Sequence, residues 1–292
     1  MSGAPRVASL PRGSFSDEAA QYFFRDREVN HAYYKLISDV FRATERGDAD
    51  WSVIPIENTI DGSVSLHTDW LVHEVNLPIR AEWVYPAVQN LVGLRSELSG
   101  EDGEGWRPEK IKKVLSHPVA MAQCYEFLRA TLPNAELETL SSTSEAIRTV
   151  SENPGQGWAA IGTRTAAADY KLDVLQEGVT DHDNNYTRFL LVGNKEYVNP
   201  SAMEFKTSIL VTLPDDYPGA LHQVLSAFAW RRINLSKIES RPTKKKLGVY
   251  YFFIDILMSM DSVLLPAAIA EIEAIGCQVR VLGSYPSFSY ER

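Results

Sequence analysis

The sequence predicts an α/β region of layered strands and helices followed by a smaller α+β domain of ferredoxin-like order. Three observations carry this. Short apolar strands, each followed by a polar cap and an amphipathic helix, recur from Arg6 to the Ala-rich segment after Thr165, which is the mark of parallel α/β layers. The composition shifts after Asn199-Pro200-Ser201. Beyond that point the order βαββαβ fits into fewer than 90 residues, the signature of a split-βαβ domain.

In the first region, Arg6 to Leu10 reads as a strand and Gly13 as a turn, with Ser16, Asp17 and Glu18 opening a helix. Asp50 to Ile56 is a second strand, Glu57 to Gly62 a polar loop, and Ser63 the cap of a helix running to about Glu74. Val84 to Leu94 is a strand region, and the polar, Gly-rich 96–109 is a surface loop. Ile111 to Leu115 is a strand, and Ser116-His117-Pro118 opens a helix with Pro in its first turn, where its missing N–H costs nothing. Leu137 to Leu140 is a strand, Ser142-Thr143-Ser144-Glu145 is a capping box, and Asn153 to Gly157 is a turn. Trp158 to Ile161 is a strand, after which Gly162-Thr163-Arg164-Thr165 opens the last helix of this region.

In the second region, Lys206 to Leu213 is a strand and Pro214 to Gly219, with Asp216, a turn. Ala220 to Trp230 is a helix with Leu221, Val224, Leu225 and Phe228 on one face. Ile233 to Ser240 and Val249 to Leu257 are strands, and Lys244-Lys245-Lys246 is a solvated hairpin tip. Ser262 to Ile275 is a helix, and Val279 to Gly283 leads the last strand.

Composition narrows the function. The chain has 292 residues, 45% hydrophobic and 23% charged, enough for two or three globular domains. A net charge of −9 argues against a nucleic-acid partner, which needs a basic face, so an anionic ligand must be drawn by local groups. Cys124 and Cys277 read as buried thiols of a reducing compartment. Arg6 and Arg12 are followed by no apolar segment, so no signal peptide is expected. The apolar stretch Val249 to Met258 is interrupted by Asp255 and too short to span a bilayer. A cytoplasmic protein without a membrane partner is expected. None of the six histidines has metal-ligand spacing, and there is no phosphate loop or dinucleotide fingerprint, so neither a metal nor an organic cofactor is expected.

Ligands of such sheets bind beyond the carboxyl ends of strands, where helix N-termini present free N–H groups to anions. Hydroxyls at Ser14, Ser63, Ser142, Thr143 and Thr163 all fall at such junctions and suggest a cleft for a small carboxylate-bearing molecule. The stretch from Asp181 to Gly193 is the most informative. A polar loop feeds a short apolar run, Phe189 to Val192. Strand alternation sends Thr187 and Phe189 to one face and Arg188 to the other.

Several motifs match one family in order: Gly13-Ser14-Phe15-Ser16, Pro55-Ile56-Glu57-Asn58-Thr59 with Gly62-Ser63-Val64, and His117-Pro118 with Ala122-Gln123-Cys124. They continue with Ser142-Thr143-Ser144, Ala159-Ala160-Ile161-Gly162-Thr163 and Asn185-Tyr186-Thr187-Arg188-Phe189, then Gly219-Ala220-Leu221 and Glu239-Ser240-Arg241-Pro242. On these motifs, over nearly its whole length, the chain resembles prephenate dehydratase with a C-terminal ACT regulatory domain. It departs from the family's usual pattern in a first turn one residue shorter at Leu10-Pro11-Arg12-Gly13, in Val119 after His-Pro where Gln is usual, and near Asn90, where a His or Gln is common. No helical chorismate mutase segment precedes Val7, so a mutase-fused form is not expected.

The resemblance implies a two-lobed, periplasmic-binding-protein-like α/β catalytic region of parallel-sheet lobes. Residues 1–82 with 182–200 would form one lobe, 83–181 the other, and 204–292 the ACT domain. It implies decarboxylative dehydration of prephenate to phenylpyruvate. Thr187 would donate a hydrogen bond to the departing oxygen, and Arg188 would either bind a carboxylate or hold the loop. Phe189 would pack the loop, Asn58 and Gln123 would offer neutral amides, and Glu57 would face a cation or carry a raised pKa. Ser14, Ser142, Thr143 and Thr163 would bind substrate. The effector L-phenylalanine would lie at a subunit interface of a homodimer or homotetramer, against Gly219, Ala220, Leu221, His222, Glu239, Ser240 and Arg241. Two alternatives stay open: arogenate as substrate, and a non-catalytic binding protein that senses an amino acid.

Overall fold

The computed structural model describes residues 3–100, 105–199, 202–215, 217–244 and 250–290. Of the residues named above, Pro200, Ser201, Asp216, Lys245, Lys246 and Val249 lie outside them. By its internal contacts the chain divides into two units, Met1–His73 with Val84–Phe189, and Glu74–Trp83 with Leu190–Arg292.

The first unit holds two sheets. In one, Arg6–Ser9 runs parallel to Asn30–Tyr33 and to Trp51–Asn58. Its apolar residues Val7, Ala8, Val53 and Ile54 are fully buried. The helix Phe15–Phe23 follows, capped by Ser14, whose extended backbone lets Oγ accept from Asp17 N at 3.3 Å. Ser16, expected as the helix start, lies inside the first turn. Ser63 does not cap a helix. The tip Gly62–Ser63 folds back antiparallel on Glu57 and Asn58, and the next helix, Ser65–Asp69, starts after Val64 without a side-chain cap. A single π-turn, Trp70–Glu74, completes it.

The second sheet has the order Asp173–Gln176, Asn90–Gly93, Trp158–Gly162, Lys113–Ser116, Glu136–Thr139. Lys113–Ser116 is parallel to both neighbours, while Asn90–Gly93 is antiparallel to both of its own, so the sheet is mixed. Alternation sorts its residues into two cores. Leu91, Val114 and Ile161 pack with Met121 and Leu128 on one face. Val92, Leu115 and Ala160 pack with Ile147 and Val150 on the other. Burial on both faces explains why the three inner strands, Asn90–Gly93, Trp158–Gly162 and Lys113–Ser116, are largely apolar.

The second unit carries the antiparallel sheet Leu235–Pro242, Tyr250–Ile256, Phe205–Thr212, Gln278–Phe288. With helices Ala220–Ala229 and Leu264–Ala274 it has the expected βαββαβ order. Ile209, Val211, Ile254 and Ile256 pack beneath the helix residues Val224, Phe228, Leu265 and Ile272. The last strand is longer than its apolar pattern suggests. Its end at Ser287 and Phe288 pairs in parallel with Glu82 and Trp83, and the buried Glu82 carboxylate is held by Lys206 Nζ at 2.5 Å and Ser287 Oγ at 2.6 Å.

Candidate active site

Within the first unit, a cavity of about 950 Å³ is lined from both sheets. The strand beginning at Tyr186 lies beside the end of Trp51–Asn58, joined through Thr59 N and Tyr186 O at 2.9 Å. Alternation then acts as expected. Thr187 and Phe189 line the cavity. Arg188 points elsewhere, its side chain 11% exposed and Nη1 3.4 Å from Glu57 Oε2. Glu57 is thus paired with a cation, and neither member of the pair lines the cavity.

Asn58 is held rigidly. Its Oδ1 accepts from Ile60 N at 2.8 Å and Asp61 N at 3.0 Å. Its Nδ2 reaches Asn185 Oδ1 at 2.8 Å, Tyr186 O at 3.2 Å and Thr187 Oγ1 at 3.0 Å. Because Thr187 accepts there, its own hydrogen remains available to donate. Gln123, on the helix Pro118–Gln123 of the second sheet, accepts from Asn185 Nδ2 at 3.1 Å and donates to Asp61 Oδ2 at 2.8 Å. Asn58, Gln123 and Thr187, proposed from sequence, are therefore one hydrogen-bonded group.

The hydroxyl-rich end is built on the helix Thr143–Glu152. Ser142 Oγ caps it by accepting from Glu145 N at 3.1 Å. Glu145 Oε2 accepts in return from Ser141 N at 3.2 Å and from the Ser141 hydroxyl, which holds its pKa below the ordinary carboxylate range. Ser14, Ser142, Thr143 and Ser144 line the cavity together with the cations Lys35 and Arg148. Among the described residues, Ser144 Oγ is buried without a hydrogen-bond partner. First-turn N–H groups and two cations suit a carboxylate.

Thr163 is placed differently from its expected substrate contact. It is fully buried and does not line the cavity. Its Oγ1 donates to Gly13 O at 2.7 Å and caps the next helix by accepting from Ala166 N at 3.1 Å. Gly13 has φ +76°, and a Cβ there would stand 2.7 Å from Ala166 Cβ. The hydroxyl is consumed in joining this turn to the helix Arg164–Asp169.

Sequence reasoning missed Asp61, Gln89, His67 and His117 as cavity residues, and gave Asn185 no role. An acid in a polar loop and a glutamine between strands carry no local signal; only the fold brings them to Gln123. His67 Nδ1 lies 2.6 Å from Pro55 O, and burial holds its pKa low, as it does for His117. Val119 lines the cavity after His117-Pro118. Cys124 is buried, its thiol pushed up to about 12 by desolvation with a smaller contribution from Asp181. Asp181 itself caps the helix Tyr125–Thr131 by accepting from Glu126 N and Phe127 N at 3.0 and 3.1 Å.

In the second unit, Gly219 starts the helix Ala220–Ala229 at φ +92°. Ala220 is buried, Leu221 half-buried and His222 exposed. Glu239 and Arg241 share one strand face, with Arg241 Nη1 3.5 Å from Glu239 Oε1 and Lys237 Nζ 3.2 Å from Oε2. Ser240 is on the opposite face and exposed. Among the described residues, no cluster of three or more His, Cys, Asp or Glu is arranged to hold a metal ion, and no helix is long and apolar enough to cross a membrane.

Comparison with known proteins adds the family context. Residues 9–197 match the family model for prephenate dehydratase, and residues 207–276 that for the ACT domain. The chain is 39% identical over 284 residues to a prephenate dehydratase of Bacillus subtilis (strain 168), covering 95% of this chain and 97% of the other. It superposes with a TM-score of 0.83 on a prephenate dehydratase from Arthrobacter aurescens solved in complex with L-Phe, at 31% identity over 96% of this chain and 89% of that one. A structure described as a quorum quenching acylase gives a TM-score of 0.82 at 22% identity, over 97% and 98% of the two chains, and shares the fold.

Proposed function

The chain belongs to the prephenate dehydratase family, and from that premise we propose that its cavity converts prephenate to phenylpyruvate as a carbon–oxygen lyase. The ring carboxylate leaves as carbon dioxide. Its bonding electrons move through the ring and expel the hydroxyl, which takes up a proton and departs as water. Aromatisation drives the reaction, so the kinetic demand is on the leaving oxygen.

The observation that carries this reading is the hydrogen bond from Asn58 Nδ2 to Thr187 Oγ1 at 3.0 Å in the cavity wall. An alcohol is a weak acid, so Thr187 acts as a positioned donor to the departing oxygen rather than as a full proton source. The side-chain carboxylate of the substrate sits at the Ser142 turn, near Thr143, Lys35 and Arg148. Arg188 holds Glu57 and supports the strand. In this reading the catalytic lobes comprise residues 1–82 with 182–200 and residues 83–181, and 204–292 form the regulatory domain.

Phenylalanine is the effector, bound near the Gly219 turn and the end of Leu235–Pro242, in a homodimer or homotetramer. Two buried free thiols support a reducing, cytoplasmic setting. The test is to incubate the pure protein with prephenate and, separately, with arogenate. Phenylpyruvate from prephenate is the expected product. Turnover of arogenate alone would reassign the substrate, and turnover of neither would favour a binding protein.

A further inference from the structure

The amide chain beside Thr187 has a direction, and it begins at a residue with no role so far. Asp61 Oδ2 accepts from Gln123 Nε2 at 2.8 Å. Gln123 Oε1 accepts from Asn185 Nδ2 at 3.1 Å and from Gln89 Nε2 at 3.4 Å. Asn185 Oδ1 accepts from Asn58 Nδ2 at 2.8 Å, and that same nitrogen reaches Thr187 Oγ1. A carboxylate only accepts, so the Gln123 atom facing Asp61 is nitrogen. A backbone N–H only donates, so the Asn58 atom facing Ile60 N and Asp61 N is oxygen. With both ends fixed, the amides between them have one arrangement in which no donor faces a donor. Asp61 grips both ends, with its N–H on Asn58 and its carboxylate on Gln123.

Resting on the reading of Thr187 as the donor to the departing oxygen, we propose that Asp61 is the positioning residue of this site. Its backbone N–H helps hold Asn58 Oδ1, so that Asn58 Nδ2 occupies a lone pair of Thr187 and leaves the Thr187 hydrogen turned to the substrate, and its carboxylate anchors Gln123, which carries Asn185. Asp61 lies on the loop after Trp51–Asn58, whereas Gln123 belongs to the second sheet, so the same contact fixes the spacing of the two walls. Without the carboxylate, Gln123 Nε2 loses its acceptor and the hold of Gln123 on Asn185 loosens, although the N–H groups of residues 60 and 61 still orient Asn58. Asn185 is then anchored through Asn58 alone, so the segment that leads into Thr187 is held less firmly.

Asp61→Ala, Asp61→Asn, Thr187→Val and the double variant Asp61→Ala/Thr187→Val test this by initial rates on prephenate. Asp61→Ala is expected to lower kcat roughly tenfold, short of the ~100-fold that a 1 Å misplacement can cost, with KM near wild type. Asp61→Asn, whose amide oxygen still accepts from Gln123, restores most of kcat. In the Thr187→Val background, Asp61→Ala costs nothing further, since groups acting through one another are not additive. An unchanged kcat in Asp61→Ala, a loss confined to KM, an additive double variant, or an Asp61→Asn as slow as Asp61→Ala would each overturn the proposal. Normal turnover by Thr187→Val would mean that the Thr187 reading has failed and Asp61 with it. A slow Thr187→Val beside a normal Asp61→Ala would sink the positioning role alone.

Discussion

Asn58 Nδ2 donates to Thr187 Oγ1 across 3.0 Å, although the two residues stand 129 positions apart. The bond occupies a lone pair and frees the hydroxyl hydrogen. Thr187→Val keeps the volume and removes that donor. The variant is expected to fold and bind prephenate normally while kcat falls at least ~100-fold, the low end for a lost proton-transfer partner. Stopped-time assays of phenylpyruvate with a urea unfolding curve measure both parts. Near-normal kcat in a folded variant would move the donor role elsewhere.

Arg188 pairs with Glu57 at 3.4 Å, away from the cavity. Arg188→Met is therefore expected to lower stability by about 1 kcal/mol, the upper end for partly exposed pairs, with KM within roughly twofold of wild type. A tenfold or larger rise in KM (~1.4 kcal/mol of binding) would make Arg188 a substrate ligand.

Thr163→Val removes the bond to Gly13 O and the cap on Ala166 N from a fully buried site. A loss of about 1–2 kcal/mol in unfolding free energy is expected, with KM for prephenate unchanged. A raised KM without loss of stability would return Thr163 to the substrate site.

Burial holds the His67 pKa below its ordinary value, only partly offset by the hydrogen bond to Pro55 O. The unfolded chain therefore takes up the proton first as pH falls below about 6.5. The contribution of neutral His67 is complete above that pH and is lost as pH falls toward the folded pKa. Wild type should lose more stability between pH 7.5 and 5.5 than His67→Gln, by at most about 1.4 kcal/mol per pH unit. Parallel urea titrations of the two proteins check the sign; equal slopes would refute it.

Gly219 holds φ +92°, where a β-branched residue is strained. Gly219→Val should weaken phenylalanine binding in calorimetry by at least about tenfold, on the order of 1.4 kcal/mol, while the wild type sediments as an oligomer. Equal affinity in both proteins, or a monomeric wild type, would remove this site from consideration.

Local pattern made much of this legible. The βαββαβ order, the Ser142 cap and the opposite facing of Thr187 and Arg188 each follow from a period or a cap chemistry confined to a few residues. What escaped depended on distant partners. Ser63 resembles a helix cap, but pairing with Glu57 takes it into a strand. Ser14 and Ser16 are equally good caps by composition, and only the extended backbone of Ser14 separates them. Thr163 has the right residue type at the right kind of junction, yet the Gly13 carbonyl claims its hydroxyl. Asp61, Gln89 and Asn185 meet through Gln123, which no period in the sequence encodes.

The separation between Asn58 and Thr187 also sets a clock on biosynthesis. Chains lengthen at ~5–20 residues per second, so the 129 positions that separate them are a wait of roughly 6–26 s. During that time the strand Trp51–Asn58 has no Tyr186 strand beside it. An unpaired strand edge is a template for aggregation. A nascent chain halted before Asn185 carries that open edge beside most of the cavity's lining residues, but not Thr187, the donor to the departing oxygen.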